Sequence, residues 1–218
     1  MVTVGIMLAG CGVNDGTEIH EAVLTMLAVD RFAARRLCLG PDIEQRDVVN
    51  HISGTPMNEK RNALVEAARI ARGEISPLSA VSVDDIDALI MPGGFGAAKN
   101  LSDFAVAGAD TVVQPEVLQL IQALHQAQKP IGAICIAPAV VARALGEFKP
   151  RLTIGNDMGT AALLEGFGAV HVECPVDDIV VDEKNRLVTT PAYMLGPGLK
   201  EIFLGIDKLV AKIVGMAA

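Results

Sequence analysis

Aromatic side chains are nearly absent. The chain has no tryptophan, one tyrosine and six phenylalanines among 218 residues, so Ala, Val, Ile and Leu must build its core. Long hydrophobic runs are missing too. Half of the residues are hydrophobic and the mean hydropathy is positive, yet no run approaches the ~20 apolar residues of a membrane-spanning helix. That composition suits a well-packed globule without a membrane partner. Cations are in deficit, with 18 Lys and Arg against 26 Asp and Glu and a net charge of −8. Nucleic acids and anionic membranes are recognised by clustered cations, and no basic run exists, so neither is expected as a partner. Metal-ligand spacing is also lacking. Cys11, Cys38, Cys135 and Cys174 form no C-x-x-C pair, which excludes a zinc ribbon or thioredoxin-like motif. They read as free thiols in a reducing compartment. The stretch "LAGC", Leu8 to Cys11, resembles a lipoprotein cleavage box, but no Lys or Arg precedes it and the apolar run before it is short. A cytoplasmic protein is expected, with residues 1–218 forming one domain, because no linker, repeat or low-complexity tract interrupts them.

What is present is an alternation of elements. "VTVGIML" is an apolar run suited to a buried parallel strand. A helix is expected from Glu18 to Ala33, with Asp15 as N-cap, Glu18 as its capping partner, and Ile19, Val23, Met26 and Leu27 on the buried face. "RRLCLG" is a second strand. "PMNEKRNALVEAARIARG" is a helix capped by Asn58 and stopped at Gly73. "IDALIMPGG" is a strand running into glycines, and "QPEVLQLIQALHQAQ" is a helix with Pro115 near its start. "IGAIC" is a strand and "APAVVARALG" a helix. "RLTIG", "GTAALLEGFG" and "AVHVEC" continue the alternation. "DDIVVDEKNRLVTT" reads as a β-hairpin turning at "EKNR", and a last helix runs from Gly198 to Met216. The pattern predicts an α/β fold: a doubly wound, mostly parallel sheet sandwiched by helices, with a C-terminal β-hairpin. Ligands of such sheets bind beyond the carboxyl ends of the strands.

Cys135 stands at such an end. "AICIA" reads small–x–nucleophile–x–small, the pattern of a nucleophile elbow with Cys for Ser and Ala for Gly. Pro138 suits the first turn of the following helix. The helix N-terminus is expected to lower the thiol pKa. The alternative is a cysteine buried as a small hydrophobe. Pro92, Gly93, Gly94 and Gly96 leave backbone N–H groups uncovered, which together with the N–H of Ile136 can bind an oxyanion. An ordinary tight turn is the alternative. Asp15, Glu18 and Glu21 open the first helix, and one of the two glutamates can serve as general base or simply favour the helix dipole. Gly10, Gly12 and Gly16, with Asp42 after the second strand, loosely resemble a dinucleotide loop, but Asp15 and Glu18 would repel a pyrophosphate. Of the histidines, His20 lies beside the acids, His51 shows no ligand spacing, His125 reads as exposed on its helix, and His171 lies in a strand.

"AICIAPAVV" after "KPIG", preceded by "LIMPGGFGAAKNLSDFA", resembles the PfpI superfamily of class I glutamine amidotransferase-like proteins. "GCGVNDGTEIHEAVLTMLA", "CPVDDIVVD" and "VTTPAYM" narrow the resemblance to the bacterial ElbB branch, the isoprenoid-biosynthesis glyoxalases. It runs from the first strand to the last helix. It implies a flavodoxin-like sandwich, an elbow cysteine at Cys135 and a partner carboxylate at Glu21, with Glu18 as second choice. It also implies oxyanion donors at Gly94, beside Gly93, and at Ile136. Many members carry a histidine after the strand that follows the elbow helix. Here "LTIGND" places Gly155, Asn156 and Asp157 there, which leaves a Cys–Glu pair, helped by His20. The implied activity is conversion of glyoxal, a small dicarbonyl, to glycolate without metal, nucleotide or glutathione. Protein deglycation could use the same steps, and the isoprenoid link would be a pathway effect. A homodimer is implied as well. Two other classes stay open: a redox-sensing or chaperone-like binding protein, and an amidotransferase-like hydrolase.

Overall fold

A computed structural model describes residues 1–218. In chain order the elements are β1 (Thr3–Met7), α1 (Ile19–Arg31), β2 (Arg35–Gly40), β3 (Val49–Asn50), β4 (Thr55–Pro56), α2 (Ala63–Ile70), β5 (Ser76–Pro77) and β6 (Ala88–Met91). Then come α3 (Phe95–Lys99), α4 (Phe104–Ala107), α5 (Pro115–Gln126), β7 (Ile131–Ile134) and α6 (Pro138–Leu145). The chain closes with β8 (Arg151–Leu152), α7 (Met158–Gly166), β9 (Val170–His171), β10 (Val180–Asp182), β11 (Leu187–Thr190) and α8 (Leu199–Ala217). Seven strands form one sheet in the order β10-β11-β7-β6-β1-β2-β5. All neighbours are parallel except β10 and β11, the expected hairpin.

Alternation along the strands divides the core between two faces. Met7, Leu89, Met91, Ile131 and Leu187 point into a layer with α5 and α6. Val4, Ile6, Ala88, Ile90 and Val188 point into a layer with α1 and α8. Both faces are covered, so the strands read as continuous apolar runs. This is the doubly wound α/β sandwich the element order predicts, and the flavodoxin-like fold the resemblance implies.

Several local expectations are corrected. Helix α1 begins at Ile19, and Glu18 is its N-cap, accepting the Glu21 N–H at 2.7 Å. Asp15 instead accepts the N–H of Val49 at 2.7 Å. The buried face of α1 is Ala22, Thr25, Met26, Ala28 and Val29, whereas Ile19, Val23 and Leu27 are exposed. Small side chains let the helix approach the sheet and α8 closely, and that turns the larger aliphatics outward. Helix α2 starts at Ala63 with Asn62 as its cap, and the stretch before it carries the β3–β4 hairpin. β8 and β9 pair with each other in a separate two-stranded sheet rather than extending the main one. His125 is buried, 3.2 Å from Asn185 of the β10–β11 turn and packed on Phe148, because the hairpin folds over the end of α5.

Candidate functional site

Cys135 follows β7 directly and adopts φ +60, a left-handed conformation that costs an L-residue roughly 1–2 kcal/mol. The bend is held on both sides. The Cys135 N–H donates to Thr190 O at 3.0 Å, continuing the β7–β11 ladder, and the Ala137 N–H donates back to Ile134 O at 3.0 Å. Pro138 then opens α6. This strand–turn–helix geometry has the shape of a nucleophile elbow. The side chain is buried among the α1–α8 layer residues at the carboxyl end of the sheet.

Glu21 comes from α1 and is completely buried. Its Oε2 accepts the Gly93 N–H at 2.8 Å and its Oε1 accepts the Tyr193 N–H at 3.3 Å. The Cys135 thiol lies within hydrogen-bonding reach of the same carboxyl. Glycine is required at 93, where a methyl group would sit 2.6 Å from Cys135 Cβ and 2.9 Å from Glu21 Oε2. Gly94, at φ +88, caps α3, and a side chain there would strike the backbone of Glu18 at 2.4 Å. The backbone N–H groups of Gly94 and Ile136 lie beside the Cys135 thiol and favour its ionised form. The Gly93 N–H is committed to Glu21 Oε2 and is not left uncovered, as its reading as an oxyanion donor requires.

Burial, then the neighbouring Glu18 carboxylate, pushes Glu21 up to about 7. Burial, then the charge of Glu21, pushes the Cys135 thiol well above its usual range, although the Gly94 and Ile136 amides pull it down. The expectation that the helix N-terminus lowers this thiol is corrected: desolvation and a facing carboxylate outweigh the amides. With the thiol raised above the carboxyl, the sulfur keeps its proton when Glu21 ionises, and the two groups titrate as a pair.

Glu18 lies beside the pair, not in it. Its Oε2 caps α1 and its Oε1 is 3.8 Å from His20 Nδ1. His20 is half-exposed and bonds through Nδ1 to the Tyr193 hydroxyl at 2.7 Å. The loop at Gly10, Gly12 and Gly16 is closed on itself, with Gly16 N–H on Gly12 O and Gly12 N–H on Thr17 O, and Asp42 binds Asn62. The amides of Gly12 and Gly16 are thus engaged, unlike those of a phosphate loop. No group of three or more His, Cys, Asp or Glu is arranged to hold a metal ion. Sequence reasoning missed Tyr193. The signal was there: the only tyrosine of an aromatic-poor chain, two residues after Pro191 at the end of a strand.

Fold and site together define an α/β protein with a cysteine elbow and a buried carboxyl partner. The DJ-1/PfpI family model matches residues 49–194, and the chain belongs to that family. It is 44% identical over 221 residues to the human glutamine amidotransferase-like class 1 domain-containing protein 3, mitochondrial, an alignment that covers 97% of this chain and 82% of the relative. It is 43% identical to the rat mitochondrial ES1 protein homolog over the same shares. A crystal structure of an isoprenoid biosynthesis protein with an amidotransferase-like domain from Ehrlichia chaffeensis superposes with a TM-score of 0.94 at 39% identity, covering all of both chains. A variant of Schizosaccharomyces pombe DJ-1 shares the fold, with a TM-score of 0.59 at 21% identity over all of this chain and 92% of the other. The curated relatives are mitochondrial proteins, which overturns the expectation of the cytoplasm. Free thiols argue only for a reducing compartment, and the cytoplasm is not the only one.

Proposed function

We propose that this chain is a cofactor-independent glyoxalase, acting as one amidotransferase-like domain, that converts glyoxal to glycolate. The observation that supports this reading best is the buried Glu21–Cys135 pair, with the Gly94 and Ile136 amides beside the thiol. Glu21 takes the thiol proton as the sulfur adds to one carbonyl carbon, giving a hemithioacetal. The oxygen that gains charge is met by the two amides. Glu21 returns a proton to it, removes the hydrogen of the same carbon to form an enediolate, and delivers that proton to the second carbon, while the proton of the first hydroxyl passes to the second oxygen. The first carbon is thereby oxidised to a thioester and the second reduced to an alcohol, so no external oxidant is needed. Water cleaves the thioester, releasing glycolate and restoring the thiol. The site itself does not distinguish free glyoxal from a glycated thiol or amine that enters the same sequence. We also propose a homodimer, which light scattering on the purified protein tests.

The redox-sensor alternative requires a thiol oxidised without turnover, and no observation favours it over a thiol set beside the buried Glu21 carboxyl. The hydrolase alternative requires a histidine on the sulfur, and His20 is engaged by Tyr193 instead.

The test is glycolate formation from glyoxal with chelator present and glutathione absent, in wild type, Cys135→Ala and Glu21→Gln. Loss of roughly 10³-fold or more on removing the nucleophile, and roughly 10²–10⁴-fold on removing the proton-transfer group, is expected. Absence of activity in the wild type, or its retention in Cys135→Ala, ends this reading.

A further inference from the structure

We propose that the Tyr193 side chain, hydrogen-bonded to His20, is a positioning device that holds the Tyr193 amide against Glu21 and so sets how readily Glu21 exchanges its proton with Cys135. The inference rests on the Glu21–Cys135 pair and not on the identity of the substrate.

Three observations point to this. First, the segment after β11 is bent sharply. Ala192 adopts φ +42, a region disfavoured for residues other than glycine, and its carbonyl accepts the N–H groups of both Leu195 and Gly196. Such a bend persists only where its surroundings hold it. Second, the bend brings the Tyr193 N–H to Glu21 Oε1 at 3.3 Å, at the long end of the hydrogen-bond range, where a small retreat abolishes the bond. Third, the Tyr193 hydroxyl meets His20 Nδ1 at 2.7 Å, and His20 is the neighbour of Glu21 on α1. The side chain thus ties the bend to the helical turn that carries the carboxyl. Tyr O–H donates to an Nδ1 that carries no hydrogen, and an Nδ1–H donates to the Tyr oxygen, so the tie holds in either tautomer.

The groups facing Glu21 are Glu18 from its own helix, the Cys135 thiol from the elbow, the Gly93 amide from the turn after β6 and the Tyr193 amide from the bend. His20 stands beyond, 3.8 Å from Glu18. Of these, the two amides favour ionised Glu21, and only the Tyr193 amide lies on a segment held by a side-chain bond. Releasing it makes Glu21 keep its proton to higher pH.

The experiment follows the rate at which iodoacetamide alkylates Cys135, read by peptide mass spectrometry across the range from acid to mild alkali. This readout needs no turnover, so it can succeed where the glyoxalase reading fails, and glycolate assays on the same samples judge that reading separately. The wild type is expected to show an inflection at about 7. Tyr193→Phe keeps the amide and the ring but loses the hydroxyl, and it should move the inflection up by about one pH unit, the effect of one hydrogen bond to a charged group. His20→Ala should do the same, and the double variant should move it no further than either single change. A wild-type profile without the inflection, an inflection unmoved in Tyr193→Phe, a lowered melting temperature as the only effect, or fully additive shifts would each overturn the proposal.

Discussion

Glu21 and Cys135 meet inside the protein, a carboxyl from the first helix and a thiol from the elbow after β7, both buried and within hydrogen-bonding reach of each other. Neither is an ordinary acid there. The carboxyl is raised into the neutral range and the thiol above it, and this order decides how the pair ionises.

The stability of the protein should record the carboxyl. Glu21 titrates at 4.5 when unfolded and at about 7 when folded. Below pH 4.5 both states are protonated and folding carries no ionisation cost. Between pH 4.5 and about 7 the unfolded chain ionises first, so stability falls as pH rises. Above that window the whole cost, about 3 kcal/mol, is present. The amide that Glu21→Gln puts in its place does not titrate. The stability of this variant relative to wild type should therefore improve by about 3 kcal/mol from the acid side of the window to the alkaline side, in urea unfolding. A difference independent of pH contradicts the buried, raised carboxyl.

Turnover of glyoxal should follow the same ionisation. kcat/KM is expected to rise with pH to a plateau, with an apparent pKa of about 7 belonging to the pair, because Glu21 must be free to receive the thiol proton. A profile flat across that pKa would rule out the role.

Gly93→Ala should damage the site by crowding. Its methyl group would lie 2.6 Å from Cys135 Cβ and 2.9 Å from Glu21 Oε2 and Ile134 O, and all three are anchored in the elbow or the buried pair. Overpacking of this kind costs roughly 1–3 kcal/mol, and the displacement should lower kcat/KM by about 10²-fold or more. Gly166→Ala, in α7 with nothing within 4 Å, is the control and should be neutral or slightly stabilising. Equal effects at the two positions would refute the argument.

The start of α2 can be tested by its cap. Asn62 Oδ1 accepts the Val65 N–H at 3.0 Å, so Asn62→Ala should cost about 1 kcal/mol. Asn58 lies outside the helix, and Asn58→Ala should cost almost nothing. Thermal melts of the two variants separate the observed cap from the one the sequence pattern suggests.

Much of the architecture was legible because its signals are local. Apolar runs bounded by glycine marked β1, β6 and β7, Pro115 and Pro138 opened α5 and α6, and "EKNR" marked the β10–β11 turn. The elbow was legible for the same reason: a small–x–Cys–x–small pattern at the end of a strand is a property of consecutive residues. Misreadings arose where neighbours distant in sequence decide the outcome. The periodicity of α1 favoured Ile19, Val23 and Leu27 as its inner face, but close packing on the sheet and α8 selected Ala22, Ala28 and Val29. "RLTIG" and "AVHVEC" read as further strands of the main sheet, yet β8 and β9 pair only with each other.

The sequence by itself determined the order of elements, the elbow and the set of acids near it, because spacing, turn chemistry and hydrophobic runs are written along the chain. Only the tertiary structure decided where each acid sits and in what state. Glu18 and Glu21 are nearly equivalent as letters, but one caps the helix and the other is driven into the buried space between Gly93, Tyr193 and Cys135. The pKa order of thiol and carboxyl follows from that burial, and burial is a property of the packed fold, not of the residues that enter it.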